Sequence, residues 1–205
     1  MPTLIYVHDP MCSWCWGFAP VFDRLLSDLP DGVKVRRILG GLASDSDVPM
    51  PHSVREYVQG QWRRIQREIP GTEFNFDFWT RCSPRRSTYP ACRAVIAARQ
   101  QGAESDPIMT RAIQRAYYLE ARNPSDPGTL ADLAGTMGLD AGEFARDLAS
   151  AETDRTLRAE IAEVRALGIR GFPSLVLERG RMRWTVPVHY TDHRPMRDEI
   201  ARRAR

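Results

Sequence analysis

The chain has 205 residues, of which 42% are hydrophobic and 27% charged, with a formal net charge of +3. That suffices for one large domain, or a domain with an insertion, around a substantial core. The charge is too mild and dispersed for a nucleic-acid surface, and no segment approaches the roughly 18 consecutive apolar residues of a membrane span.

Residues 3–7 (Thr-Leu-Ile-Tyr-Val) are predicted as a strand that runs out into His8-Asp9-Pro10. Cys12-Ser13-Trp14-Cys15 follows, and then residues 16–29, where Phe18, Val21, Phe22, Leu25, Leu26 and Leu29 recur at helical spacing. Residues 33–39 are predicted as a second strand, bounded by Pro30-Asp31-Gly32 and Gly40-Gly41. From about 50 to 167 the pattern is almost wholly helical, with helices expected over 53–69, 89–101, 107–121, 129–137, 141–148 and 153–167. Breaks fall at Pro70-Gly71, Ser83-Pro84, 124–128 and Gly138, and Asp140 with Glu143 three residues on suggests a capping box. The chain closes with a hairpin, strands 174–177 and 182–186 about Arg179-Gly180, and a helix over 191–203.

The CxxC carries the chemistry. At a strand-to-helix joint its first sulfur lies at the helix N-terminus, where unpaired amides and the helix dipole favour a thiolate over a thiol. Cys12 is therefore expected to be the exposed attacking sulfur and Cys15, nearly one turn on, the buried resolving one. Two other uses of these cysteines remain open at this level. One is purely structural. The other is zinc, for which His189 and His193 offer an i, i+4 pair, although most of the chain separates them from the CxxC.

The skeleton resembles the thioredoxin fold of the DsbA-like family. Two motifs carry the match: Asp9-Pro10-Met11-Cys12-Ser13-Trp14-Cys15-Trp16-Gly17-Phe18, and Gly168-Ile169-Arg170-Gly171-Phe172-Pro173-Ser174-Leu175. The cysteine motif looks most like a cytoplasmic branch of predicted disulfide isomerases. The resemblance implies an α/β thioredoxin-like fold with a large helical insertion between the second strand and the cis-proline strand. Residues 1–47 and 168–205 would form the thioredoxin-like part and 48–167 the inserted helices. It also implies a cis Pro173 beside the CxxC, although only about 5–6% of X-Pro bonds in folded proteins are cis. The backbone of Phe172 would then face outward and pair with an extended substrate. The bulk of Phe172 is expected to narrow access to the sulfurs. Strongly oxidising relatives have a histidine between the cysteines. Ser13 and Trp14 stand there instead, which predicts a less oxidising pair.

These readings give a thiol–disulfide oxidoreductase or isomerase with catalytic Cys12 and Cys15 and substrate contacts at Trp14, Phe172 and Pro173. His8, Asp9 and Ser13 are candidates for tuning the cysteines. No metal or bound cofactor is expected, with glutathione a candidate redox partner and thiols or disulfides the substrates. Cys82 and Cys92 are either free thiols or a second disulfide, with the arginines near Cys82 making it the more reactive. If Met1 is the native start, there is no room for a leader, which places the protein in the cytoplasm. Two alternatives stand beside this one: a glutathione-dependent isomerase or transferase of the same architecture, and an adaptor that uses the fold to bind a partner protein.

Overall fold

The computed structural model describes residues 1–204. Four strands form one sheet in the order β2-β1-β3-β4: β1 (Thr3–His8), β2 (Lys34–Leu39), β3 (Ser174–Arg179) and β4 (Met182–Val186). β1 and β2 are parallel and joined by α1 (Ser13–Ser27), so the chain makes a βαβ crossover. β3 runs antiparallel to β1 with Val7 opposite Ser174, and β4 returns as its hairpin partner. That register is what brings the segment before β3 alongside the residues that follow β1.

Both faces of the sheet are covered. Cys15, Phe18, Phe22 and Leu25 repeat on one buried stripe of α1, and Phe18, Phe22 and Leu25 pack with Leu4, Tyr6, Leu175 and Leu177. The closing helix α9 (Arg194–Ala204) adds Met196 and Ile200 to the same layer. On the other face Ile5, Val7, Ile38 and Val176 meet Val164.

Val164 belongs to the last of seven helices that lie between β2 and β3: α2 (His52–Glu68), α3 (Phe78–Arg81), α4 (Tyr89–Gln100), α5 (Ser105–Tyr118), α6 (Pro127–Thr136), α7 (Ala141–Leu148) and α8 (Ala151–Ala166). Leu157 and Ile161 of α8 face the helical core while Val164 faces the sheet. The expected division at 167/168 therefore follows a helix that packs on both parts. Within the helical core Trp62 is fully buried among Phe74, Phe76, Phe78, Trp79, Tyr117 and Tyr118.

The expected helices and strands are present, with shifted ends. α5 starts at Ser105, two residues early, and β3 continues to Arg179. The short α3 has no counterpart in the sequence reading, because four residues hold too little periodicity to register. α9 begins at Arg194 rather than 191, so His189 and His193 precede the helix and do not share a helical face. Asp140 caps α7 as its sequence suggests, accepting from the Glu143 N–H at 2.7 Å.

Gly17 has a packing reason. A Cβ there would stand 2.8 Å from Ile69 Cδ1 and 3.1 Å from Ile65 Cγ2, so glycine lets α1 close onto α2 without displacing those side chains. Trp16 next to it stacks on Tyr118, which ties α1 into the aromatic core. Removing the centre of that core should be costly: Trp62→Ala is expected to lower unfolding free energy by about 3–5 kcal/mol in a urea titration.

Candidate active site

β1 ends at His8, and the next residue, Asp9, turns the chain into α1. The Asp9 carbonyl accepts the Cys12 N–H at 3.0 Å, and its carboxylate Oδ1 accepts the Met11 N–H at 2.8 Å. Cys12 is thereby fixed as the N-cap of α1, with its sulfur accepting the Cys15 N–H at 3.4 Å. A helix N-terminal amide aimed at the sulfur is the arrangement that accommodates negative charge there.

From the other side of the sheet register comes the Phe172–Pro173 segment, whose peptide bond is cis. The Cys12 thiol donates to the Phe172 carbonyl at 3.5 Å. Three expectations change here. Cys12 is only 5% exposed rather than open, with this segment against its sulfur. The Phe172 carbonyl is engaged by Cys12, so it is not a free pairing edge in this state. The Phe172 ring does not screen the sulfurs either. It lies on Gly40, where any Cβ would collide with it, and joins the Ile5, Val7 and Ile38 cluster.

Cys15 is fully buried. Burial pushes its thiol well above the usual range, reinforced by the hydrogen bond and charge of Cys12. Three tyrosines surround the pair, each held up chiefly by burial and then by neighbouring charge, including that of the cysteines: Tyr6, Tyr118 and Tyr190. Trp14 is half-buried rather than free. Its indole N–H donates to Gln61 Oε1 at 3.2 Å, Tyr190 packs at 5.2 Å, and the Arg64 guanidinium covers the ring at 5.3 Å. Ser13 lies half-buried in the first turn of α1.

Asp9 is completely buried. Oδ2 accepts from the Leu42 N–H and the Thr88 hydroxyl, both at 2.7 Å, and the Cys92 thiol lies 3.5 Å away. Burial raises its pKa and these hydrogen bonds oppose the rise. Sequence reasoning missed Thr88, Cys92 and the Leu42 amide, and no local signal marks them: 79 and 83 positions separate Thr88 and Cys92 from Asp9.

The remaining cysteines are thiols. Cys92 is raised by burial and then by Asp9. Cys82 donates to the Ala121 carbonyl at 3.1 Å, and burial and Asp126 raise its pKa despite Arg81. Cys82 is thus the less buried and less strongly raised of the two thiols, although burial outweighs the help of Arg81. Among the described residues no group of three or more His, Cys, Asp or Glu is placed to hold a metal ion, and His193 is instead bonded to Asp28 at 3.0 Å.

The model of the DSBA-like thioredoxin domain matches residues 3–190. A candidate protein disulfide isomerase of Nitrosomonas europaea superposes with a TM-score of 0.84 at 30% identity, covering 98% of this chain and 96% of that one. The cytosolic disulfide reductase DsbM of Pseudomonas aeruginosa does so at 0.81 and 28% identity, covering 98% of each, and has also been solved with glutathione. Among curated proteins, the ClpXP adapter protein SpxH of Halalkalibacterium halodurans is 27% identical over 180 residues, covering 85% of this chain. The chain spans 58% of the length of that relative.

His8 offers a test of the site's dryness. It is fully buried with neither ring nitrogen hydrogen-bonded. Burial, then Arg37 and Arg99, lower its pKa from 6.5 to about 3. Below pH 6.5 the unfolded chain takes up a proton that the folded one refuses. The stability is therefore complete above 6.5 and is lost as pH falls toward 3. Asp9, shifted upward, acts with the opposite sign and is common to both proteins compared here. Between pH 7 and pH 5 the wild type should lose about 2 kcal/mol through His8, a loss that His8→Phe abolishes in urea titrations at the two pH values.

Proposed function

The chain belongs to the DSBA-like thioredoxin domain family, and on that premise we propose that it is a thiol–disulfide oxidoreductase of the cytoplasm. Its working pair is Cys12 and Cys15, it draws electrons from glutathione, and it reduces or isomerises disulfides. The observation that carries this reading is the N-cap geometry. Cys12 Sγ receives the Cys15 N–H at the head of α1, with the second sulfur one turn behind it and buried.

In this cycle the Cys12 thiolate attacks a substrate disulfide, one substrate thiolate leaves, and a mixed disulfide forms. Cys15 gives up its proton and attacks Cys12 Sγ. The second substrate thiol departs and the Cys12–Cys15 disulfide remains. Two glutathione thiols then restore the dithiol and become glutathione disulfide. The high pKa of the buried Cys15 keeps it protonated and out of the first step. Entry of a substrate sulfur requires the Cys12–Phe172 hydrogen bond to give way, which frees that carbonyl beside Pro173 for a bound strand. Trp14 supplies an apolar wall, and Asp9 and His8 set the polarity beneath the pair; Ser13 contributes no charge. Residues 1–47 and 168–205 carry the chemistry, and 48–167 shape the surface beside it.

The likeness to the ClpXP adapter SpxH favours one second reading, a protein-binding adaptor. Cysteine replacement separates the two. Incubated with glutathione disulfide, Cys15→Ser should keep one glutathione on Cys12 and release the other as a thiol, seen by intact mass. Cys12→Ser should trap none and should lower glutathione-dependent disulfide reduction by at least about 100-fold. A folded Cys12→Ser protein with undiminished reduction would defeat the oxidoreductase reading.

A further inference from the structure

One contact between the redox pair and the inserted helices runs through side chains that carry protons. Thr88 is the N-cap of α4, and Cys92 lies one turn further on. Both are buried and both donate to the same atom, Asp9 Oδ2, the hydroxyl at 2.7 Å and the thiol at 3.5 Å. The Ala43 N–H donates to the Thr88 hydroxyl at 3.1 Å, and the Ala43 carbonyl, its other acceptor, is farther away at 3.3 Å. The Thr88 proton is thereby directed to Asp9. The remaining donors to the carboxyl are the main-chain amides of Leu42 and Met11, which no side-chain replacement removes. Among the described residues Asp9 forms no ion pair, so these four hydrogen bonds alone balance its charge. Hydrogen bonds donated to a carboxylate favour its charged form.

Asp9 in turn acts on Cys15. Burial and Cys12 raise the Cys15 thiol, and the Asp9 charge adds to both while the Asp9 main-chain N–H opposes them. Cys15 attacks only after losing its proton, so a charged Asp9 slows the step that empties Cys12. The other titratable groups around this carboxyl stay neutral. Burial holds the Tyr117 and Tyr118 hydroxyls on α5 and the Cys92 thiol above their usual ranges, and lowers the pKa of His8 to about 3. Asp9 and then Glu160 of α8 add to the rise of Cys92. With Cys12 engaged in a mixed disulfide, Asp9 and Cys15 are the two of these groups left to titrate.

We propose that Thr88 and Cys92 are positioning residues that brake Cys15: by keeping Asp9 charged they prolong the mixed disulfide on Cys12. This rests on the oxidoreductase reading above and says which of its reactions the site favours. While the mixed disulfide lasts, a second substrate thiolate attacks the substrate sulfur bound to Cys12. A new substrate disulfide forms, Cys12 leaves as its thiolate, and no electrons are consumed. Slow resolution therefore favours isomerisation over net reduction.

The test follows the two steps separately in a reduced Cys82→Ser parent protein mixed with excess dithiobis-nitrobenzoate. Cys12 attack releases one nitrothiobenzoate and Cys15 attack the second, the latter at a rate independent of reagent concentration. Below the pH at which Asp9 ionises, the second rate should rise with pH equally in every variant. Above it the parent should level off, whereas Thr88→Val and Cys92→Ala should keep rising and level at rates at least about threefold higher. Thr88→Ser, which retains the hydroxyl, should follow the parent. A merely structural role lowers stability and gives no gain in rate. A second step no faster than the parent's in a folded Thr88→Val or Cys92→Ala protein overturns the brake and leaves the oxidoreductase reading standing. A single release, with no second step in the parent, defeats that reading and the brake with it.

Discussion

Everything at the redox pair hangs on one buried carboxylate. A carboxyl group removed from water is tolerated only where hydrogen bonds replace its hydration. Asp9 finds them in three separate parts of the chain: the Met11 amide in the turn into α1, the Leu42 amide after β2, and Thr88 with Cys92 at the start of α4. The same residue's carbonyl holds the Cys12 N–H. The turn that presents Cys12 is thus tied at once to the sheet and to the inserted helices. Loss of any one donor leaves a buried carboxyl oxygen short of a partner, at a typical cost of about 1–3 kcal/mol.

The dryness has a chemical consequence. Cys15, Cys92, Tyr6 and Tyr118 are all held protonated by burial, and His8 is held neutral by it. Negative charge is disfavoured nearly everywhere around the pair. Cys12 differs in its contacts: a helix amide is pointed at its sulfur, which lies against the Phe172 carbonyl. The proposed division of labour between an attacking and a resolving sulfur rests on that asymmetry.

The parts of this architecture that were legible in the sequence are those written in local pattern. The β1–CxxC–α1 joint, the helical stripes through Trp62 and Ile65, the Asp140 cap and the hairpin at Gly180 all rest on residues within a turn or two of each other. The proline before β3 was legible only through resemblance to a family motif. What stayed hidden depends on tertiary register: the Asp9 contacts to Leu42, Thr88 and Cys92, the seat of Phe172 on Gly40, and the Gln61 and Arg64 side chains around Trp14. The environment of Cys82 was only partly legible for a related reason. Neighbouring arginines in sequence were outweighed by burial and by Asp126, which is distant in sequence.

The central claim is that Cys12 and Cys15 form one reversible two-electron couple. Its most direct test is equilibration of the protein in a series of glutathione buffers, with the thiols alkylated and counted by mass spectrometry. The account requires a single transition in which Cys12 and Cys15 are oxidised together while Cys82 and Cys92 remain thiols. With no histidine between the cysteines, the midpoint should lie nearer the roughly −270 mV of thioredoxin than the roughly −120 mV of DsbA. If Cys12 and Cys15 stay unlinked in every buffer, the redox reading is wrong and the fold serves another purpose.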